Sequence, residues 1–325
     1  MAAQHNLISG TGVSPVRNLR PHIKQTQNHR TNPPTYPVLH YMRQQTQARG
    51  MTQIEIIVVL IVLIIIVALV LVKVSQLRRD MISLKDGSQI QQISQSMVVF
   101  SRELNGPFPV PSLIAPPSAS GEEDYTLNHS ANLYSLMTMR HYVNVELLVS
   151  PIEVSDHVLV DKDYDHGKYE PFNSSYWDDS FVMHIEDPKI GANGSYAHVA
   201  AVGDRRDVLH SSKISDSIPI LGTRAYDQTI LDPSQYLRSP VFRFTKPYDK
   251  WVGNIAFADG HVTTLETVFP QQTTFDPGSG AVPDNIFAAE FDHPNGKQAA
   301  ADAFLCISIA ATKYTVNDVY DPLDE

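Results

Sequence analysis

The sequence predicts an α+β protein in which one long N-terminal helix packs on a domain built around an antiparallel sheet. Three observations support this: an uninterrupted apolar run at residues 56–72, apolar residues at helical spacing beyond it, and short strand-like segments between polar turns further on. The chain divides accordingly into a leader of residues 1–50, a helix within residues 51–105 and a domain of residues 106–325.

The apolar run contains no polar side chain over seventeen residues, from 56 to 72. At ~1.5 Å per residue a helix of this length covers roughly 25 Å, close to the hydrocarbon thickness of a bilayer. The alternatives are a buried strand or a core helix. The run is too long for an ordinary strand, and a soluble core helix is rarely apolar on every side. We therefore expect a membrane span at about residues 54–72.

Charge is distributed unevenly along the chain. The first 50 residues hold six of the 25 basic residues and none of the 35 acidic ones, so the remainder is strongly acidic. The positive-inside rule predicts that this basic leader stays in the cytoplasm and that the domain lies on the other side of the membrane. The acidic domain argues against a nucleic-acid partner. Cys306 is the only cysteine, which excludes an intramolecular disulfide, and it is expected to be a core residue.

A carboxylate lies at the start of the apolar run. Glu55 is one turn inside the predicted span, where a lone charge costs ~2.5–3.5 kcal/mol on insertion scales, so a partner for it is implied. The alternative is a side chain that snorkels to the membrane edge. Just upstream are Arg49, Gly50, Met51 and Thr52, so a step in charge and a glycine precede the carboxylate at short range.

This Gly-Met-Thr-x-x-Glu pattern resembles the processing site of type IV prepilins and type II secretion pseudopilins. The resemblance implies that prepilin peptidase cuts between Gly50 and Met51, that the new amine is methylated, and that Glu55 is the assembly residue. It departs from the family in one position, because Met51 stands where phenylalanine is usual. An ammonium on a neighbouring subunit could pair with Glu55 and offset the cost of burying its charge.

The resemblance also implies a function. By this resemblance the chain is a structural subunit of a pilus-like or secretion pseudopilus fibre, and it is neither an enzyme nor dependent on a cofactor. It is expected to be anchored once in the bacterial inner membrane, with a periplasmic domain. Its implied partners are prepilin peptidase, other pseudopilin subunits, an inner-membrane assembly platform and membrane lipid. The rival hypothesis is a singly anchored extracytoplasmic binding protein or hydrolase that does not polymerise.

The length of the leader is a separate question. From Met42 the leader would have nine residues with two positive charges, which resembles the short basic leaders of ordinary prepilins. Residues 1–41 add no apolar face and no targeting pattern. We expect translation to start at Met42, and a genuine long leader is the alternative.

Beyond the span, a helical face continues in Leu77, Met81 and Leu84. Apolar residues then repeat at steps of three and four in Ile90, Ile93, Met97, Phe100 and Leu104. This spacing predicts an amphipathic helix that continues from the membrane to about Leu104, where Asn105, Gly106 and Pro107 end it. We expect the outer half of this helix to pack on the domain.

The motif Phe-Ala-Asp-Gly-His-Val at residues 257–262 predicts a β-hairpin, because Asp259-Gly260 is a strong signal for a two-residue turn. The motif also resembles one in the planctomycete-type group of pseudopilin-like proteins. That group has a histidine ten residues before the aspartate, where this chain has Asp249. A cysteine is also frequent there at the position of Ser150. Catalysis or metal binding by Asp259 and His261 is the alternative to a turn.

Three aspartates alternate in one polar segment, at Asp161, Asp163 and Asp165, like the beginning of a calcium-binding loop. An EF-hand would need glycine at His166 and glutamate at Phe172. The match is therefore incomplete, and a solvated acidic turn is the alternative.

Overall fold

The computed structural model describes residues 50–104, 106–117, 121–153, 155–209, 215–225, 251–289 and 302–319. The hypotheses about the basic leader and the Met42 start concern residues outside these ranges, and so do Arg49 and Asp249. Within the described ranges the chain has the predicted α+β class, with one long apolar helix and an antiparallel sheet.

The long helix, α1, spans Gln53–Glu103. The apolar residues of the predicted span are exposed, as a segment surrounded by lipid would be. The outer half packs on the domain only from Asp86 onward. Leu77, Met81 and Leu84 were expected to continue the amphipathic face, but they are 60%, 67% and 74% exposed. That part of the prediction was wrong, because Ile90 is six positions after Leu84, so at ~100° per residue these three lie on the side of α1 opposite Ile90 and Ile93.

Shorter helices connect α1 to the sheet. Four of them follow in the described residues: α2 (Pro111–Ile114), α3 (Ser130–Met139), α4 (Val145–Leu148) and α5 (Arg205–Val208). Single 3-10 turns lie at Tyr125–Leu127, His166–Lys168 and Pro171–Asn173. The α3 helix is the longest of these helices, and eight of its ten residues are buried.

The strands in the described residues form one large sheet and two small ones. Their bounds are β1 (Met183–His184), β2 (Gly191–Ala192), β3 (Tyr196–Val199), β4 (Pro219–Thr223), β5 (Gly253–Phe257), β6 (Val262–Leu265), β7 (Thr274–Phe275), β8 (Val282–Pro283), β9 (Leu305–Ala311) and β10 (Val316–Val319). The large sheet has the order β10-β9-β3-β4-β5-β6, and each neighbouring pair is antiparallel. The pairs β1–β2 and β7–β8 form the small sheets.

The core joins α1, α3 and the large sheet. Ile90 and Ile93 of α1, Leu136 of α3 and Ile255 of β5 are each fully buried in one hydrophobic cluster. Burying side chains of this size contributes about 1.5–3 kcal/mol each relative to exposure. Cys306 is buried in β9, as expected for a core residue. The outer half of α1 is therefore part of the domain.

Candidate functional site

The predicted processing site lies at the start of α1. Gly50 and Met51 precede the first helical residue, and both are exposed. A Cβ atom added at Gly50 would meet no heavy atom within 4 Å, so the described fold itself leaves room there for a larger residue. If glycine is required at position 50, the requirement must come from a protein that binds this segment and not from packing in this chain.

Glu55 and Thr52 cap the N-terminus of α1. The Thr52 backbone N–H donates to Glu55 Oε2 across 2.7 Å, and the Glu55 N–H donates back to Thr52 Oγ1 across 3.3 Å. The Thr52 hydroxyl also donates to the carboxylate across 3.1 Å. This reciprocal arrangement is a capping box, which the spacing Thr-x-x-Glu could have revealed in the sequence. Glu55 therefore has a local role in the single chain, beside the assembly role that the resemblance implies.

The described residues contain one helix, α1, that is long and apolar enough to cross a membrane. Lys73 is the first charged residue after the apolar run, and Glu55 is the only charged residue between Gly50 and Lys73. The span thus carries its single carboxylate near the end at which the predicted cleavage site lies.

Asp86 connects α1 to the sheet. It is fully buried, and its carboxylate accepts four side-chain hydrogen bonds. Ser150 Oγ donates across 2.5 Å and Tyr196 Oη across 3.1 Å to Oδ1, while Thr223 Oγ1 donates across 3.1 Å and Asn254 Nδ2 across 2.8 Å to Oδ2. These partners belong to β3, β4, β5 and the segment after α4. We call Asp86 and these four residues the Asp86 network.

The partners of Asp86 in this network are all neutral. Burial raises the pKa of the Asp86 carboxyl, and the hydrogen bonds from Ser150, Asn254, Tyr196 and Thr223 counteract that rise only in part. A buried carboxylate is costly without a cation, so the network's donors are what make its burial tolerable. The network fixes the orientation of α1 on the sheet.

Ser150 has a structural role at the position where the planctomycete-type group often has cysteine. Its hydroxyl donates to Asp86, and its backbone N–H donates to Ser195 Oγ across 3.0 Å. The Ile152 N–H donates to the Ser150 hydroxyl across 3.2 Å. The sequence pointed to Ser150 but did not show which residue its hydroxyl bonds to.

Asp259, Gly260 and His261 lie in the connection between β5 and β6, which are antiparallel. The Phe257 N–H donates to the His261 carbonyl across 3.0 Å, so three residues, 258–260, lie between this pair. The expected two-residue turn is thus a three-residue loop, in which Gly260 has a φ of 92°. Such a loop places glycine at the left-handed position, which explains the Asp-Gly signal.

The histidine of this loop has local partners. His261 Nδ1 lies 2.6 Å from Asp259 Oδ1, and its ring stacks on the Phe257 ring with 4.6 Å between centroids. The His261 N–H also donates to Asp259 Oδ1 across 3.0 Å. Both side chains stabilise the loop on which they lie. Within the described residues, no group of three histidine, cysteine or acidic side chains is placed to hold a metal ion there.

The calcium candidates form local hydrogen bonds near the Lys168–Asp178 ion pair. Asp161 Oδ1 accepts from the Asp163 N–H across 3.1 Å, and the Asp165 N–H donates to Asp178 Oδ2 across 2.8 Å. Asp178 is buried and forms an ion pair with Lys168 across 2.5 Å. The three aspartates do not form a ligand group in the described part of the chain. A lysine ammonium occupies the position next to the buried carboxylate of this loop.

A serine–histidine pair that sequence reasoning missed lies inside the domain. Ser130 Oγ is 2.7 Å from His198 Nε2, and His198 Nδ1 lies 2.9 Å from the Val199 carbonyl oxygen. Both side chains are buried, at 0% and 2% exposure, and burial lowers the pKa of His198 to about 4. The pair resembles a nucleophile and its base, but no substrate can reach it, so it is a satisfied polar contact between α3 and β3.

Comparisons with known proteins add no identification: no family model, no curated protein and no solved structure matches the chain. A functional assignment therefore depends on the residues and geometry described above.

Proposed function

We propose that the chain is the precursor of a structural subunit of a pilus-like or type II secretion pseudopilus fibre. Prepilin peptidase would cut it between Gly50 and Met51 and methylate the Met51 amine. The mature subunit would remain in the bacterial inner membrane through α1, with its domain on the periplasmic side. Its work would be assembly with other subunits on an inner-membrane platform.

One observation carries this proposal: a single carboxylate, Glu55, lies within an otherwise apolar span just after the exposed Gly50–Met51 bond. A helix that served only as an anchor would gain stability in lipid from an apolar residue there. Cleavage would create an ammonium at Met51, which can pair with Glu55 of a neighbouring subunit in a medium of low dielectric constant. That pairing would give subunits a reason to associate.

The exposed cleavage segment provides further support. A peptidase needs an extended and accessible peptide, and Gly50 and Met51 lie outside α1. Because the described fold leaves space at Gly50, the glycine is better explained by recognition in a peptidase site than by packing in this chain.

The capping box provides a sharp test of the assembly role. Glutamine is as good as glutamate at the third position of a capping box, so Glu55→Gln keeps the cap and removes the charge. Glu55→Leu removes both. Each variant would be produced in a host that processes prepilins, and fibre assembly would be measured by shearing, ultracentrifugation and electron microscopy.

If Glu55 pairs with a neighbouring amine, both variants should be processed and membrane-bound but should fail to form fibres. If Glu55 serves only as a helix cap, Glu55→Gln should assemble normally and Glu55→Leu should show a frayed helix start. Normal membrane insertion with no fibre from the wild-type chain would instead favour the rival hypothesis of a monomeric, singly anchored protein.

A further inference from the structure

Two cavities adjoin on the surface of the domain near the start of α3. One has a volume of about 410 Å³ and the other about 310 Å³, within the ~300–1,000 Å³ range of small-molecule sites. Asn132 and Asp179 line both cavities, so the two lie side by side, and we call them together the α3 groove. None of the residues of the Asp86 network or of the β5–β6 loop lines it.

The larger cavity combines rings with carboxylates. The half-buried Tyr176 supplies aromatic surface, with the edge of the buried Trp177 beside it, and Asp124 and Asp179 supply acceptor oxygens. Asp179 is exposed, and its side chain forms no hydrogen bond with another described residue. Asn132 uses its Nδ2 to donate to the Leu127 carbonyl across 3.0 Å, which leaves its Oδ1 to face the groove's contents as an acceptor.

The smaller cavity offers imidazoles. His129 and His184 line it, next to the fully buried Ser308. Burial and, to a smaller extent, the nearby His184 lower the pKa of His129, so this imidazole is neutral at pH 7. His129 Nδ1 is buried and has no hydrogen-bond partner in the described parts of the chain. A neutral imidazole has one nitrogen that donates and one that accepts.

The charge of the groove narrows the class of ligand. No lysine or arginine among the described residues lines either cavity, whereas Asp124 and Asp179 both do. Phosphate, sulfate and acidic peptides would meet only repulsion from these carboxylates. The ligand is therefore neutral or cationic.

The balance of donors and acceptors separates those two classes. A simple cation uses acceptors alone, but the groove also offers donors, from the imidazoles and from the exposed Ser174 hydroxyl. A sugar hydroxyl both donates and accepts, and the C–H face of a sugar ring can pack on the aromatic surface of Tyr176. We propose that the α3 groove binds a neutral oligosaccharide.

This proposal does not depend on fibre formation and can be tested on the isolated full-length protein. The protein would be kept in a zwitterionic detergent without a sugar headgroup. It would be titrated with neutral pentasaccharides of glucose, N-acetylglucosamine, mannose and galactose, followed by calorimetry and tryptophan fluorescence. Both tryptophans, Trp177 and Trp251, are buried, but only Trp177 lines the groove.

We expect saturable binding of at least one pentasaccharide with a change in fluorescence. Asp179→Ala should weaken it by about tenfold or more, the loss expected when a charged acceptor is removed. Asp163→Ala is the matched control, because Asp163 is also an exposed aspartate but lies outside the groove. Equal melting temperatures of the two variants would show that Asp179→Ala leaves the fold intact.

Three results would overturn the proposal. The first is the absence of saturable binding for all four pentasaccharides, and the second is binding that Asp179→Ala leaves unchanged. The third is Asp179-dependent binding of pentalysine without binding of any sugar, which would make the groove a site for cationic peptides.

Discussion

Asn254 in β5 donates a hydrogen bond from Nδ2 to Asp86 Oδ2 in α1 across 2.8 Å, and the same amide also donates to the Ser83 carbonyl across 3.2 Å. The amide oxygen of Asn254 is used too, because it accepts from Thr264 Oγ1 across 2.7 Å. Asn254 lies in a strand whose residues are all buried, and these hydrogen bonds satisfy its polar side chain there. It attaches the sheet to the helix that is long and apolar enough to cross a membrane.

Removing the carboxylate of Asp86 should destabilise the domain. Asp86→Leu would remove the acceptor that the four donors of the Asp86 network share. Ser150 would lose its acceptor, and the other three would keep only their longer bonds, to Gln89, the Asn254 carbonyl and Ser83. We expect the free energy of unfolding to fall by about 3 kcal/mol or more. Urea unfolding of the detergent-solubilised protein, followed by tryptophan fluorescence, measures this change.

Asp86→Asn is the matched control for that variant. Its amide oxygen can still accept from Asn254 and Thr223, and the hydroxyls of Ser150 and Tyr196 can rotate to accept. We expect a change of about 1 kcal/mol or less at pH 7. Equal losses in Asp86→Leu and Asp86→Asn would contradict the assigned role of the network, since shape rather than hydrogen bonding would then explain the effect.

The raised pKa of Asp86 predicts a specific pH dependence. The folded state holds the proton of this carboxyl more tightly than the unfolded state, so its contribution to stability is fully present below the unfolded pKa of about 4. That contribution is lost as the pH rises through the folded pKa. The stability of the wild type relative to Asp86→Asn should therefore fall as the pH rises above about 4 and then level off.

Urea titrations of the wild type and of Asp86→Asn, in parallel from about pH 4 to about pH 8, would measure this difference in stability. Burial raises the pKa of a carboxyl into this range. Subtracting one protein from the other removes the contributions of other groups, such as Asp178, whose pKa is lowered by its hydrogen bond with Lys168 despite burial. A difference that stays constant across the range would show that Asp86 has the same pKa in both states.

A small residue in α1 offers a way to stabilise the protein. A Cβ added at Gly87 would lie 3.5 Å from Asn254 Cγ, which is an ordinary van der Waals contact. Alanine is about 0.5–1 kcal/mol better than glycine inside a helix. We therefore expect Gly87→Ala to raise the free energy of unfolding by about that amount, measured by urea unfolding.

Gly222 in β4 provides the contrast. A Cβ there would lie 2.2 Å from Ile255 Cδ1 and 3.0 Å from the Asn254 carbonyl oxygen, so Gly222→Ala should be destabilising. If Gly87→Ala destabilised the protein as much as Gly222→Ala does, the packing of α1 on β5 would be tighter than described.

The loop between β5 and β6 should depend on Gly260 more than on His261. Gly260 has a φ of 92°, and a Cβ there would have no neighbour within 4 Å, so conformation alone opposes a larger residue. We expect Gly260→Val to cost roughly 1–3 kcal/mol. Gly260→Asn should cost less, because asparagine tolerates a positive φ better than valine does.

His261→Ala should have little effect on folding. The His261–Asp259 pair is more than one-third exposed on both sides, and exposed ion pairs contribute little to stability. Thermal unfolding of the three variants would rank these effects. A loss of a defined activity in His261→Ala with unchanged stability would support the catalytic hypothesis for this loop instead.

The features that sequence could predict are those that local pattern determines. The α+β class followed from the apolar run, the helical spacing after it and the Asp-Gly turn, each of which depends on neighbouring residues. The Asp86 network could not be predicted in this way. Its partners lie 64, 110, 137 and 168 residues further along the chain, and no local pattern encodes such contacts.

The misjudged part of α1 is a matter of helical phase. Leu77, Met81 and Leu84 lie on the side of the helix opposite the residues that pack, because the step of six positions from Leu84 to Ile90 does not return to the same face. The α3 groove was missed because loops without periodicity line most of it. The capping box of Thr52 and Glu55 was visible in the spacing and needed only to be recognised.

The most direct test of the fibre-subunit proposal is the mass of the mature N-terminal peptide. Protein purified from membranes of a host with prepilin peptidase would be digested and analysed by tandem mass spectrometry. The proposal predicts a peptide that begins at Met51 and carries one methyl group on its amine. Gly50→Val should remain uncut, since a branched side chain would obstruct the peptidase site. A membrane-bound wild-type chain that retains Gly50 joined to Met51 would contradict the proposal.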